Sequence, residues 1–151
     1  YEDCQRVPLL ARGPEWIAPR AASVSALISL VDLPATFLSL ADIELPIGIQ
    51  GYDWSAFLRG EANPPRDAVL VECRPTRDSL YQQSLITGDH KLVVCHDSYP
   101  GELYDLAADP DQYRNLWNDP DSAHLRESLL QRLVRLHMEE EGMRVHRRGF
   151  G

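Results

Sequence analysis

Cys73-Arg74-Pro75-Thr76-Arg77 sets a thiol beside two guanidinium groups, and His90, Cys95, His96 and Asp97 follow further along the chain. Neighbouring cations lower the pKa of a thiol and make it a nucleophile or a target for modification. Imidazole, thiol and carboxylate together are the donor set of a metal site. Strand geometry works against that second possibility. With Lys91 to Cys95 extended, His90 and His96 share a face but stand about 20 Å apart at ~3.3 Å per residue, too far to meet on one ion without a bend. A polar hairpin is the simpler reading. His124 and His137 on a helix are likewise separated by about 20 Å of rise and make no ligand pair. Asp32 and Thr36 stand at i and i+4 beside a helix start, where an acid and a hydroxyl usually cap and orient the helix. Trp16, Trp54 and Trp117 fall in loop-like or terminal contexts, where packing is favoured over a sugar platform.

The elements that must position these side chains are legible from pattern. Ala68 to Glu72, Gln83 to Thr87, Lys91 to Cys95 and Glu102 to Leu106 read as strands, with Gly88-Asp89-His90 and Ser98-Tyr99-Pro100-Gly101 as turns between the last three. An antiparallel sheet of three or four strands follows. Asp119-Pro120-Asp121 supplies a capping acid, a first-turn proline and negative charge at the positive end of a helix dipole. Leu125, Leu129, Leu133 and Leu136 then recur at helical spacing, placing one apolar stripe on the sheet while Arg126, Glu127 and Arg132 face water and Gly142 ends the helix. Upstream, Arg6 to Ala11 reads as a buried strand in which Pro8 suits an edge or terminal position. Leu27, Leu30, Val31, Phe37, Leu38 and Leu40 form a dense apolar stretch expected to centre on a helix, with Asp32 or Ser29 as cap and Pro34 in the first turn. Residues 44–67, with Pro46, Gly48, Gly51, Gly60, Pro64 and Pro65, read as loop around one short helix from Trp54 to Leu58.

A chain of 151 residues buries roughly 68–70% of its unfolded surface, ample for one compact unit. At 44% hydrophobic and 25% charged the composition is that of a globular protein, and no apolar run approaches the ~20 residues of a membrane helix. The net charge of −8 disfavours nucleic acid, which needs a concentrated basic surface. Of the 15 basic residues only Lys91 is a lysine, and the cluster of Arg144, Arg147 and Arg148 is expected to be solvated, the alternatives being to fold back on an acidic surface or to meet a sulfate. The three cysteines, Cys4, Cys73 and Cys95, give no disulfide framework. Neither a charged n-region nor an apolar h-region opens the chain, so no signal peptide is read.

Four sets of short segments then occur in a recognisable order. They are Tyr1-Glu2 with Arg6-Val7-Pro8-Leu9-Leu10; Val31-Asp32-Leu33 with Thr36; Gln50-Gly51 before Phe57-Leu58-Arg59-Gly60; and Gly101-Glu102-Leu103-Tyr104-Asp105-Leu106 with Asp109-Pro110 and Asn115-Leu116. Together they cover nearly the whole chain and resemble the C-terminal end of sulfatases. One departure is Asp32-Leu33-Pro34-Ala35-Thr36, which stands where the family has Asp-Leu-Ala-Pro-Thr.

The resemblance implies an α/β or α+β fragment. Residues 1–67 would be the remnant of a large α/β domain, contributing a strand and a helix. Residues 68–151 would be a small antiparallel sheet packed by the terminal helix. The parent enzyme of such a fragment hydrolyses sulfate esters with formylglycine and calcium; this chain itself is expected to hold no cofactor and no catalytic residue. Cys73 to Arg77 spells Cys-x-Pro-x-Arg, the pattern in which sulfatases make formylglycine, and Leu80 falls where the longer signature has a leucine. The location argues against that role, because the family places the motif well before the segment like Tyr1 to Leu10. The family's paired metal aspartates are missing, and Gln82 and Gln83 stand where Thr-Gly belongs. Cys73 is therefore expected to be a loop cysteine between two strands. A tyrosine-phosphatase-like loop fails as well, since Ser79 stands where its arginine is needed. Arg74, Arg77 and His96 are the candidates to line a substrate entrance, as the C-terminal part of similar sulfatases does. The expected partner is the remainder of the sulfatase, or a second copy through residues 6–11, with no nucleic acid and no membrane. The alternative is a stand-alone structural or oligomerisation module.

Overall fold

The computed structural model describes residues 5–14, 23–74, 81–96 and 99–142, the last two of these without side chains. They fall into two compact units, Tyr1–Ala11 with Asp67–Arg135, and Arg12–Arg66 with Leu136–Gly151.

The first unit is built on one antiparallel sheet in the order β1-β2-β3-β4, with β1 at Ala68–Cys73, β2 at Gln82–Thr87, β3 at His90–Cys95 and β4 at Glu102–Asp105. All four expected strands are present. Gly88-Asp89 is a two-residue turn between β2 and β3, and His90, expected in that turn, opens β3 instead. Registers bring Leu70, Leu85, Leu92 and Leu103 into one row across the sheet. Leu85, Leu92 and Leu103 in that row are completely buried. Each such side chain is worth about 1.5–3 kcal/mol, so this row is the sheet's main apolar contribution. On the opposite face Lys91 is buried, its ammonium donating to Gln112 Oε1 at 3.0 Å, and Gln112 holds a left-handed φ of 59° to meet it.

The segment after β4 seals that strand's open edge. Leu103 donates its N–H to Asn115 Oδ1, Asn115 Nδ2 donates to the Gly101 carbonyl, and Leu116 donates its N–H to the Leu103 carbonyl. Backbone groups that would otherwise template another strand are thereby paired. Gly101 lets Trp117 close over this edge, since a Cβ there would lie 2.4 Å from the indole ring.

Asp119 accepts the Asp121 N–H and starts a single 3-10 turn, Pro120–Ser122, which leads into a long helix at Ala123–Gly142. That helix carries the expected stripe, with Leu129, Leu133 and Leu136 buried. Two of its arginines do more than face water. Arg126 donates to the Trp117 carbonyl and lies 5.5 Å from that ring's centroid. Arg132 pairs with Asp67 at 2.8 Å, just before β1. The expected strand at Arg6 to Ala11 does not form: residues 6–11 pair with no strand, and Leu10 is 96% exposed. Among the described residues no strand is bonded to it: the sheet ends at β1 on one side and at the sealed β4 on the other.

In the second unit, helix α1 at Asp32–Leu40 and helix α2 at Ser55–Leu58 pack on a buried carboxylate. Neither Asp32 nor Ser29 caps α1 through its side chain. Asp32 turns inward instead, where it is 0% exposed. It accepts from the Ser29 N–H at 2.9 Å, the Tyr52 N–H at 2.8 Å, Trp54 Nε1 at 3.2 Å and the Arg66 guanidinium. Thr36 extends the network, donating to the Asp32 carbonyl and accepting the Trp54 N–H. Arg66 also lies over the Tyr52 ring, 4.6 Å from its centroid. Gly51, at φ 99°, leaves room for this arrangement, because a Cβ would strike the Val31 carbonyl oxygen at 2.2 Å.

Removing one member of a buried pair strands the other charge at a cost of about 3–5 kcal/mol. Asp32→Ala should therefore lose that much in a denaturant titration, a large part of a domain's ~5–15 kcal/mol. A loss below about 1 kcal/mol would show that Arg66 finds water instead. At the surface, the hydrogen bond from Arg132 holds the Asp67 carboxyl below its ordinary 3.8, against the opposing effect of burial and with help from the Arg132 charge. The pair's contribution is complete above about pH 4 and fades as pH falls through the lowered value. Arg132→Ala should return the Asp67 titration, followed by carboxyl NMR, toward 3.8.

Candidate functional site

Side chains alternate between the faces of a strand, so register decides which polar groups meet. β1 pairs Glu72 with Gln83 and Cys73 with Gln82, while β2 pairs Gln82 with Cys95 and Gln83 with Val94. Extended by one residue, the same registers put Arg74, Tyr81 and His96 in a single row at one end of the sheet. Two contacts support that extension. His96 donates its N–H to the Tyr81 carbonyl at 2.9 Å, and the Arg74 guanidinium lies 5.3 Å from the centre of the Tyr81 ring. The row spans three strands at about 4.8 Å each.

The next row on the same face holds Glu72 and Gln83. Tyr81 donates its O–H to Glu72 Oε1 at 2.8 Å, and Gln83 Nε2 donates to the same oxygen at 2.7 Å and to the Tyr81 hydroxyl. The hydrogen bond to Glu72 raises the Tyr81 pKa, reinforced by partial burial and the Glu72 charge, with Gln83 and Arg74 opposing. Tyr81 thus stays a protonated donor at neutral pH. Arg74 and His96 are both exposed, and Arg74 has no carboxylate partner among the described residues.

Of the three residues expected near a substrate, Arg74 and His96 are brought together and Arg77 lies outside the described residues, as do Asp97 and Cys4. Tyr81, Glu72 and Gln83 were not singled out by sequence reasoning. The signal was available once strand ends were fixed, because the alternation that places Glu72 opposite Gln83 also places Tyr81 beside Arg74.

Cys73, expected in a loop, is the exposed last residue of β1. Cys95 lies on the same face, and both pair with Gln82, whose Nε2 is 3.6 Å from the Cys95 sulfur. Two strand spacings put the cysteines' Cα atoms about 10 Å apart, beyond disulfide range. No three His, Cys, Asp or Glu side chains converge to hold a metal among the described residues.

Residues 1–139 match the family described as N-sulphoglucosamine sulphohydrolase, C-terminal. An N-acetylglucosamine-6-O-sulfatase of Bacteroides thetaiotaomicron is 35% identical over 141 residues, covering 88% of this chain and 25% of the relative. Arylsulfatase K of Gallus gallus is 34% identical over 125 residues, covering 77% of this chain and 23% of the relative. The chain spans about a quarter of the length of these curated relatives. A protein solved in complex with its substrate D-glucosamine-2-N,6-O-disulfate superposes with a TM-score of 0.65 at 27% identity, over 74% of this chain and 24% of that one. By family match, sequence identity and an α+β fold of four antiparallel strands and a C-terminal helix, the chain belongs to the sulfatase C-terminal domain family.

Proposed function

We propose that this chain completes the fold of a sulfate-ester hydrolase whose catalytic residues lie outside it, and that the Arg74 and His96 end of its sheet borders the substrate. The supporting observation is uncovered apolar surface. In the first unit Val7 is 56% and Leu10 is 96% exposed; in the second, Phe37 is 63% and Ile47 is 92% exposed. Large apolar side chains left this open suit surfaces that meet another part of a protein. The relatives extend about three times further than their matched quarter, and the remainder of such a protein is the fitting cover. In this reading the Arg6 to Ala11 segment joins a larger sheet as an added strand, with self-pairing as the competing use of the same edge.

In this reading the formylglycine and the calcium site of the whole enzyme would be supplied by that remainder. The name of the Bacteroides thetaiotaomicron relative and the substrate of the solved complex suggest a sulfated amino sugar. Arg74 suits the role because a guanidinium matches the geometry of a sulfate or carboxylate.

The test joins this chain to the preceding part of the Bacteroides thetaiotaomicron relative, in place of that protein's own C-terminal quarter. The joined protein should hydrolyse an aryl sulfate with calcium, whereas the 151-residue chain alone should not. Turnover by the isolated chain, with peptide mass spectrometry showing a converted Cys73, would make this a minimal enzyme and end the proposal.

A further inference from the structure

We infer that the Arg74–Tyr81–His96 row is a subsite for an anionic substituent of a saccharide, with Arg74 as its specificity-determining residue and Glu72, Tyr81 and Gln83 as a network that positions it. The inference rests on the reading of this chain as the substrate-bordering part of a sulfatase, and it adds which group is recognised and how the recognising cation is kept available.

Glu72 is the critical neighbour. It lies two residues from Arg74 on the same face, about 7 Å away along the strand. Left alone, a carboxylate at that distance would draw the guanidinium to itself and cancel its charge. Here one carboxylate oxygen already accepts from two neutral donors, the Tyr81 hydroxyl at 2.8 Å and Gln83 Nε2 at 2.7 Å. No ion pair joins Glu72 and Arg74, which rests over the Tyr81 ring instead. A guanidinium held over a ring face can still use its in-plane N–H groups for a two-pronged bond to sulfate or carboxylate. Tyr81 therefore serves twice, its ring holding the arginine and its hydroxyl occupying the competing acid. His96 stands next in the row, one strand spacing of about 5 Å from Tyr81.

This division of labour gives opposite signs for two substitutions on one face. Arg74→Ala removes the anion contact, whereas Glu72→Gln keeps the shape but removes a repulsive charge. Tyr81→Phe keeps the ring but frees Glu72 to pair with Arg74.

Glucosamine 6-sulfate, glucosamine and sodium sulfate would be titrated into the 151-residue chain with backbone amide NMR as the readout. Glucosamine 6-sulfate should shift Arg74, Tyr81 and His96, and glucosamine should not. Arg74→Ala should weaken binding about tenfold or more, Glu72→Gln should tighten it about threefold, and Tyr81→Phe should weaken it. Unchanged binding in Arg74→Ala, or weaker binding in Glu72→Gln, overturns the assignment; equal shifts from sodium sulfate overturn its saccharide part. Within the joined enzyme, Arg74→Ala should raise KM for a sulfated sugar several-fold with little change in kcat. An active joined enzyme with unchanged KM in that variant defeats this inference and leaves the sulfatase reading standing. An inactive joined enzyme, with the row still binding in the isolated chain, defeats the sulfatase reading and leaves the anion subsite.

Discussion

Strand register is the constraint on which the first unit depends. The two-residue turn at Gly88-Asp89 sets β2 against β3, and the pairing of Leu85 with Leu92 follows from it. A slip of one residue would turn every side chain of a strand to the other face. It would take a completely buried leucine from the row of Leu70, Leu85, Leu92 and Leu103 and offer a polar neighbour in its place. The same register, carried to the end of the sheet, aligns Arg74, Tyr81 and His96. Core and candidate site are therefore two consequences of one alignment, and the apolar row that stabilises the sheet also fixes which polar groups share its rim.

Much of this was legible in the sequence, because strands alternate and turns have chemistry. Ala68 to Asp105 showed its strands through β-branched runs broken by Gly-Asp and Pro-Gly, and the final helix showed its cap and its leucine stripe. Asn115-Leu116 was recognisable as a segment, but its reason is spatial: it seals the edge of β4. Asp32 was hidden more deeply. An acid two residues before a proline at a helix start has the local signature of a cap, and nothing local announces that Arg66, thirty-four positions away, will meet it in the interior. Arg126 and Arg132 read as solvent-facing by helical period, yet each finds an acceptor that periodicity cannot see.

The Arg6 to Ala11 segment is the reverse case. Its composition is that of a buried strand, and the residues are apolar as expected. A strand, however, is a property of two chains of backbone groups, and the partner backbone is absent from the described residues. Composition alone thus recorded an environment that the described residues do not supply. The same logic applies to Phe37 and Ile47 in the second unit, which are large, apolar and uncovered. A family whose curated relatives extend well beyond the matched region gives these residues a consistent explanation.

Hydrogen exchange at Val7, Leu9 and Leu10 tests the central claim most directly, comparing the 151-residue chain alone with the same chain joined to the preceding part of a sulfatase relative. The account predicts amides that exchange freely in the monomeric chain and become strongly protected in the joined protein, where the segment gains a neighbouring strand. Strong protection in the isolated monomer, or none in an active joined enzyme, would contradict it.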